Sequence, residues 1–215
     1  MQSKESSKFN KSHLVSDELR ISNKKYIKNN KMTIEKTAIQ DLVIINSTVF
    51  EDSRGYFFEA YNRAKFLENG IAYEFIQDNQ SFSKRGVLRG LHLQINPFAQ
   101  AKLVRVLEGE ILDVAVDLRK NSATYGQHVS VVLSAQNKKQ LMVPHGFAHG
   151  FSVLSETASV LYKVDQLYHK ESERGIRFDD PTLAIDWQLS QHEIIVSDKD
   201  LILPSFNEID WSFEY

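Results

Sequence analysis

The chain has 215 residues, 42% of them hydrophobic and 11% aromatic, a composition that suits a packed globule rather than a disordered chain. It contains no cysteine, which excludes disulfides, zinc fingers and thiolate nucleophiles. No stretch approaches the ~20 consecutive apolar residues of a membrane span, and a net charge of −2 argues against a general nucleic-acid binder. That average conceals an asymmetry: residues 1–31 carry eight Lys/Arg against three acids, a charge of +5, which leaves −7 on the remainder. The sequence therefore divides into a basic, polar extension over 1–31, expected to be disordered, and a single domain over 32–215. The extension lacks the apolar core of a secretory signal. A transit peptide is the sharper reading of it, a basic tail touching anionic partners is a further one, and a disordered extension translated from a start upstream of Met32 is the plain one.

From Thr33 onward the pattern is short apolar runs punctuated by turns. Leu42-Val43-Ile44-Ile45 predicts a strand, and Tyr56–Ala60 another after the turn-like Asp52-Ser53-Arg54-Gly55. Asn62–Asn69 predicts a helix, with Asn62 as its cap and Gly70 closing it. Further strands are expected at 75–77, 87–92, 102–107, 111–118, 128–133, 140–143, 150–154 and 159–164. In Ile111–Leu118 the alternation is strict: Leu112, Val114, Val116 and Leu118 share one face, Asp113 and Asp117 the other. Glu108-Gly109-Glu110 before it has the length of a hairpin turn. Many short strands, one early helix and no βαβ alternation favour a closed or sandwiched antiparallel β fold such as a jelly roll.

Chemistry-bearing residues concentrate in three segments. Gly86–Gln94 contains His92 and Gln94 on one strand face, with glycines that permit a bend. Pro144–Gly150 holds further histidines in a glycine-bounded turn, and Tyr162-Lys163 follows the apolar Val160-Leu161. Gly86-x5-His92 followed by Pro144-x-Gly146-x2-His149 resembles the paired motifs of cupin barrels. The second histidine of a metal-binding cupin is Gln94 here, and Phe98 and Ala99 stand where a glutamate would. Two histidines without a third strong ligand make a poor transition-metal site, so histidine is expected to act as acid or base rather than as a metal ligand.

Longer stretches narrow the resemblance. Phe50-x-Asp52-x-Arg54-Gly55-Tyr56-Phe57-x-Glu59, Gln77-Asp78-Asn79-x-Ser81, Gly86–Gln94 and Pro144–Phe151 resemble the dTDP-4-dehydrorhamnose 3,5-epimerase family. The likeness continues through Lys102–Arg105, Asp113–Asp117, Gly175–Pro181 and Ile185-Asp186-Trp187. It implies a mainly β fold, a cupin-type antiparallel jelly-roll barrel with a few short helices, without cofactor, as a cytoplasmic homodimer. The implied reaction inverts C3 and C5 of a dTDP-linked 4-keto-6-deoxy sugar. Carried over residue by residue, His92 is the general base, Asp200 its carboxylate partner, Tyr162 the acid on the opposite face, and Lys102 the cation near the ketone oxygen. Arg54, Glu59, Gln77, Asn79, Arg89, His149, Glu173 and Lys199 match positions contacting nucleotide, diphosphate or sugar. Tyr168 either stacks on the thymine or packs. The chain departs from the family pattern at Ile95–Ala99, at Gln188 after Trp187, and at Leu167-Tyr168, where paired tyrosines are common.

The physics of the reaction agrees with that assignment. A 4-keto group acidifies both neighbouring C–H bonds, the enolate formed needs a positioned cation, and inversion needs a proton donor facing the base. Arginine presents a planar fork to diphosphate oxygens. Strict alternation puts Arg89 and His92 on opposite faces, so either Gly90 bends the strand or Arg89 serves a neighbouring subunit. Alternatives left open are an epimerase of one carbon only, a non-catalytic nucleotide-sugar-binding cupin, and a metal-dependent dioxygenase.

Overall fold

The structure, a computed structural model, describes residues 31–214. The extension expected over residues 1–31 thus lies outside the described residues except for Lys31. Strands follow in chain order as β1 (Thr33–Lys36), β2 (Val43–Asn46), β3 (Val49–Asp52), β4 (Gly55–Phe58), β5 (Gln77–Lys84), β6 (Leu88–Gln94), β7 (Lys102–Glu108), β8 (Glu110–Asp117), β9 (Arg119–Lys120), β10 (His128–Ser134), β11 (Lys139–Val143), β12 (Phe147–Val153), β13 (Thr157–Val164), β14 (Glu173–Gly175) and β15 (Phe213–Glu214). Among the described residues two short α-helices, α1 (Arg63–Glu68) and α2 (Asp198–Leu201), interrupt them. Among the described residues no helix is long and apolar enough to cross a membrane.

Two antiparallel sheets face each other, one in the order β1-β2-β11-β7-β13-β5, the other β10-β8-β12-β6-β14. Side chains from both sheets meet in one core: Val104, Val106, Leu141, Val143 and Val160 from the first, and Ile111, Ala115, Leu133, Phe147 and Val153 from the second. This is the jelly-roll arrangement expected, with the cavity-bearing space between the sheets. The strict apolar face of β8 points the other way. Leu112, Val114, Val116 and Leu118 pack outside the barrel, under a cover made by Ile176, Leu183 and Trp187 from the C-terminal segment. β8 is therefore buried on both faces, and its inner face carries Asp113 and Asp117.

Helix α1 forms as its sequence predicts. Asn62 caps it, accepting from the backbone of Ala64 and Lys65 at 3.1 and 3.3 Å, and Phe66 is its one buried residue. Two expectations need correction. Glu108-Gly109-Glu110 does not close a hairpin, because β7 pairs with β11 and β13 while β8 pairs with β10 and β12. It is the corner at which the chain leaves one sheet for the other. Gly109 has φ +77°, and a side chain there would run into the Thr157 carbonyl. His149, read as a turn residue, lies within strand β12.

Candidate active site

Strand β6 builds the site, and its alternation reverses on the way. Leu88 packs outside the barrel, as do Leu91 and Leu93, three and five residues later. His149 and Phe151 on β12, two residues apart, oppose His92 and Arg89, three residues apart. The surplus residue is a β-bulge at Gly90. It flips the phase of the strand, so Arg89 and His92 line the same cavity despite their odd spacing. Of the two readings left open for Arg89, the bend at Gly90 is the one realised. The bulge needs glycine on both strands: a Cβ on Gly90 would lie 2.5 Å from the Gly150 Cα, and one on Gly150 would lie 2.7 Å from the Arg89 carbonyl oxygen.

Two lobes of the cavity, about 540 and 320 Å³, meet at His92, Lys102 and Tyr162, which line both. His92 Nε2 lies 2.7 Å from Asp200 Oδ1, across 108 residues of sequence. Asp200 is buried on helix α2, whose cap Ser197 accepts from the Asp200 backbone at 3.2 Å. The segment leading to it is docked onto the start of β6, where Ile195 donates to the Gly86 carbonyl at 2.8 Å and Leu88 donates to the Ile195 carbonyl at 2.9 Å. With Asp200 ionised, Nε2 carries the proton it donates to the carboxylate and Nδ1 keeps the lone pair. Burial pushes the His92 pKa below the usual histidine value. Asp200 opposes that push, and Lys102 adds to it. The imidazole is therefore a neutral base near pH 7.

Lys102 opens β7 and donates from Nζ to the His92 carbonyl at 3.3 Å. Burial lowers its pKa to about 8, against the pull of Asp113 and Glu173. It stays mainly cationic at pH 7. Tyr162 comes from β13, and burial raises its pKa above the ordinary phenol value, with Arg89 opposing, so it keeps its proton. A neutral base, a cation and a neutral acid thus converge on one space. That set can remove a proton beside a carbonyl, hold the oxyanion formed and return a proton.

The larger lobe also holds Arg89, His149 and Lys199, together with Ser81, which sequence reasoning did not single out. His149 Nε2 lies 2.8 Å from Oδ1 of the fully buried Asp113. Asp113 was likewise missed as a site residue, although an acid in the middle of an apolar strand was the available signal. The smaller lobe is lined by Gln77, Asn79, Tyr168 and Glu173. Gln77 donates to Asn79 at 2.8 Å, and the Glu173 carboxylate takes both the Tyr168 hydroxyl at 2.8 Å and the Lys199 ammonium at 2.6 Å. Arg54 and Glu59 are not brought into the cavity. Arg54 sits at the tip of the exposed β3–β4 hairpin, paired with Asp52, and Glu59 pairs with Lys65.

The donor set does not fit a cupin-type metal. Among the described residues no three His, Asp or Glu side chains are grouped so as to hold a metal ion, and the Gln94 carboxamide is spent on backbone groups.

Comparison with known proteins agrees with this geometry. Residues 36–208 match the family model described as dTDP-4-dehydrorhamnose 3,5-epimerase. A dTDP-4-dehydrorhamnose 3,5-epimerase of Methanothermobacter thermautotrophicus is 52% identical over 166 residues, 77% of this chain and 89% of that protein. The crystal structure of the dTDP-4-dehydrorhamnose 3,5-epimerase of Elizabethkingia anophelis superposes with a TM-score of 0.81 at 54% identity, covering 84% of this chain and 99% of that one. The dTDP-6-deoxy-D-glucose-3,5-epimerase of Legionella pneumophila, solved in complex with dTDP-4-keto-L-rhamnose, superposes at 0.83 with 47% identity, covering 86% and 99%.

Proposed function

The chain belongs to the dTDP-4-dehydrorhamnose 3,5-epimerase family, and on that premise we propose that it inverts C3 and C5 of dTDP-4-dehydro-6-deoxy-D-glucose to give dTDP-4-dehydro-L-rhamnose. One observation carries the reading: the His92–Asp200 pair, Lys102 and Tyr162 converge on a single cavity. The carbonyl at C4 acidifies the hydrogens on both neighbours. His92 takes one as general base, and Asp200 stabilises the imidazolium that results. Charge moves to the ketone oxygen, where Lys102 meets it. Tyr162 returns a proton from the other face; His92 then releases its proton to solvent and Tyr162 takes one up, and the cycle repeats at the second carbon.

Arg89, His149 and Lys199 offer cationic or donor groups for the diphosphate, and Gln77 and Asn79, in the smaller lobe beside Tyr168, offer amides for the nucleoside or the sugar. Arg54 and Glu59 require a second protomer. The β3–β4 hairpin exposes Phe50, Tyr56 and Phe57 and pairs with no other strand among the described residues, which supports a homodimer with this arm against its partner. Sedimentation at the monomer mass would contradict it. A nucleotide-linked substrate supports a cytoplasmic setting.

Turnover in deuterated water tests the reaction. Incubation with dTDP-4-dehydro-6-deoxy-D-glucose is expected to yield the L-rhamno product carrying deuterium at both C3 and C5 by NMR. Label and inversion at one carbon alone would reduce the protein to a monoepimerase, and binding without label would make it a binder.

A further inference from the structure

Gln94 has no part in the reaction just described, although it shares the cavity side of β6 with His92 and is buried. Its carboxamide is used in full. Nε2 donates to the carbonyls of Phe98 and Leu167 at 2.8 and 3.2 Å, and Oε1 accepts from the His169 backbone at 2.5 Å. Leu167 and His169 are the two neighbours of Tyr168. One side chain therefore grips the peptide groups on both sides of a tyrosine that is itself exposed. It also ties them to the Ile95–Ala101 loop. Two more bonds close the same seam: Gln100 Nε2 donates to the Gln166 carbonyl at 2.6 Å, and the Ala101 backbone donates to Asp165 at 2.7 Å. The Phe98 ring stacks on His169 at 3.9 Å between centroids, 7° from parallel.

None of these bonds touches the Tyr168 ring. They fix its backbone, and the hydroxyl then reaches Glu173. An exposed loop held in its binding geometry beforehand loses less freedom when a ligand arrives, and that saving appears as affinity. We propose that Gln94 is a positioning residue for nucleotide binding, which presets Tyr168 and Glu173 as one wall of the smaller lobe. The inference rests on the reading that this lobe takes part of a dTDP-linked substrate.

Gln94→Met keeps the length and apolar volume of the side chain and removes its hydrogen bonds. In this variant KM and the Kd for dTDP, measured by calorimetry, are expected to rise about tenfold with kcat within about twofold, the pattern of lost binding rather than lost chemistry. Tyr168→Ala added to Gln94→Met should cost much less than it costs in the wild type, because both act through one contact. Gln100→Ala, which removes a single bond at the edge of the seam, should shift KM and Kd in the same direction by less and keep the wild-type melting temperature. Unchanged dTDP affinity in both Gln94→Met and Gln100→Ala, or fully additive losses with Tyr168→Ala, would overturn the proposal. A wild-type protein that neither binds dTDP nor turns over the keto sugar would instead defeat the proposed function.

Discussion

Lys102 donates to the main-chain carbonyl of His92, and its charge helps to hold the pKa of the imidazole down. The two titrations bracket a working range. His92 must be neutral to accept a proton, and its pKa lies below the usual 6.5, so activity rises as pH climbs through that acid limb. Lys102 must be charged to meet the oxyanion, so activity falls as pH passes about 8. We expect a bell-shaped profile of kcat/KM with these limbs. Lys102→Arg should lose the limb near 8 in whatever activity it retains, because a guanidinium stays protonated there. An acid limb above 7, or an alkaline limb unmoved by the arginine, would contradict the roles given to these two groups. Asp200 was identified from family likeness alone. Nothing in a run such as Ser197-Asp198-Lys199-Asp200 says which acid turns inward; the Ser197 cap and the docking of Ile195 on Gly86 decide it.

Among the elements, β5 was foreseen only at its first residue, because its inward face serves the site. Gln77–Lys84 shows no apolar alternation, yet it forms β5, the edge strand of the larger sheet. Its inward positions, Gln77, Asn79 and Ser81, line the cavity rather than the core, so the period of two is written in amides and hydroxyls. Strands facing the apolar core, such as β7, β8 and β13, were legible within a residue or two. What periodicity could not give was the partner of each strand, as the corner at Gly109 shows, or the phase flip at Gly90. That flip makes a prediction of its own. Gly150→Ala should destabilise the fold by about 1–3 kcal/mol, the usual cost of forcing atoms into a packed region. It should also lower kcat/KM, because the bulge aims Arg89 and His92 together. Urea denaturation and steady-state kinetics would check both, and a variant with wild-type stability and activity would contradict the role given to the bulge.

At the level of the whole molecule, an acidic body with a charge of −7 outside residues 1–31 binds, on this reading, a dianionic diphosphate. It can do so because the cations that matter are few and local: Arg89, Lys102 and Lys199 all face the cavity. The barrel supplies the remaining requirement, rigid strands that carry base, cation and acid from three different parts of the chain to one point. The C-terminal segment covers the outer face of the smaller sheet and delivers Asp200 to His92. One base serving two carbons is the central claim, and site-resolved deuterium exchange in His92→Ala tests it most directly. We expect the folded variant to bind dTDP and to take up no deuterium at either C3 or C5; exchange persisting at either carbon would show that another group abstracts that proton.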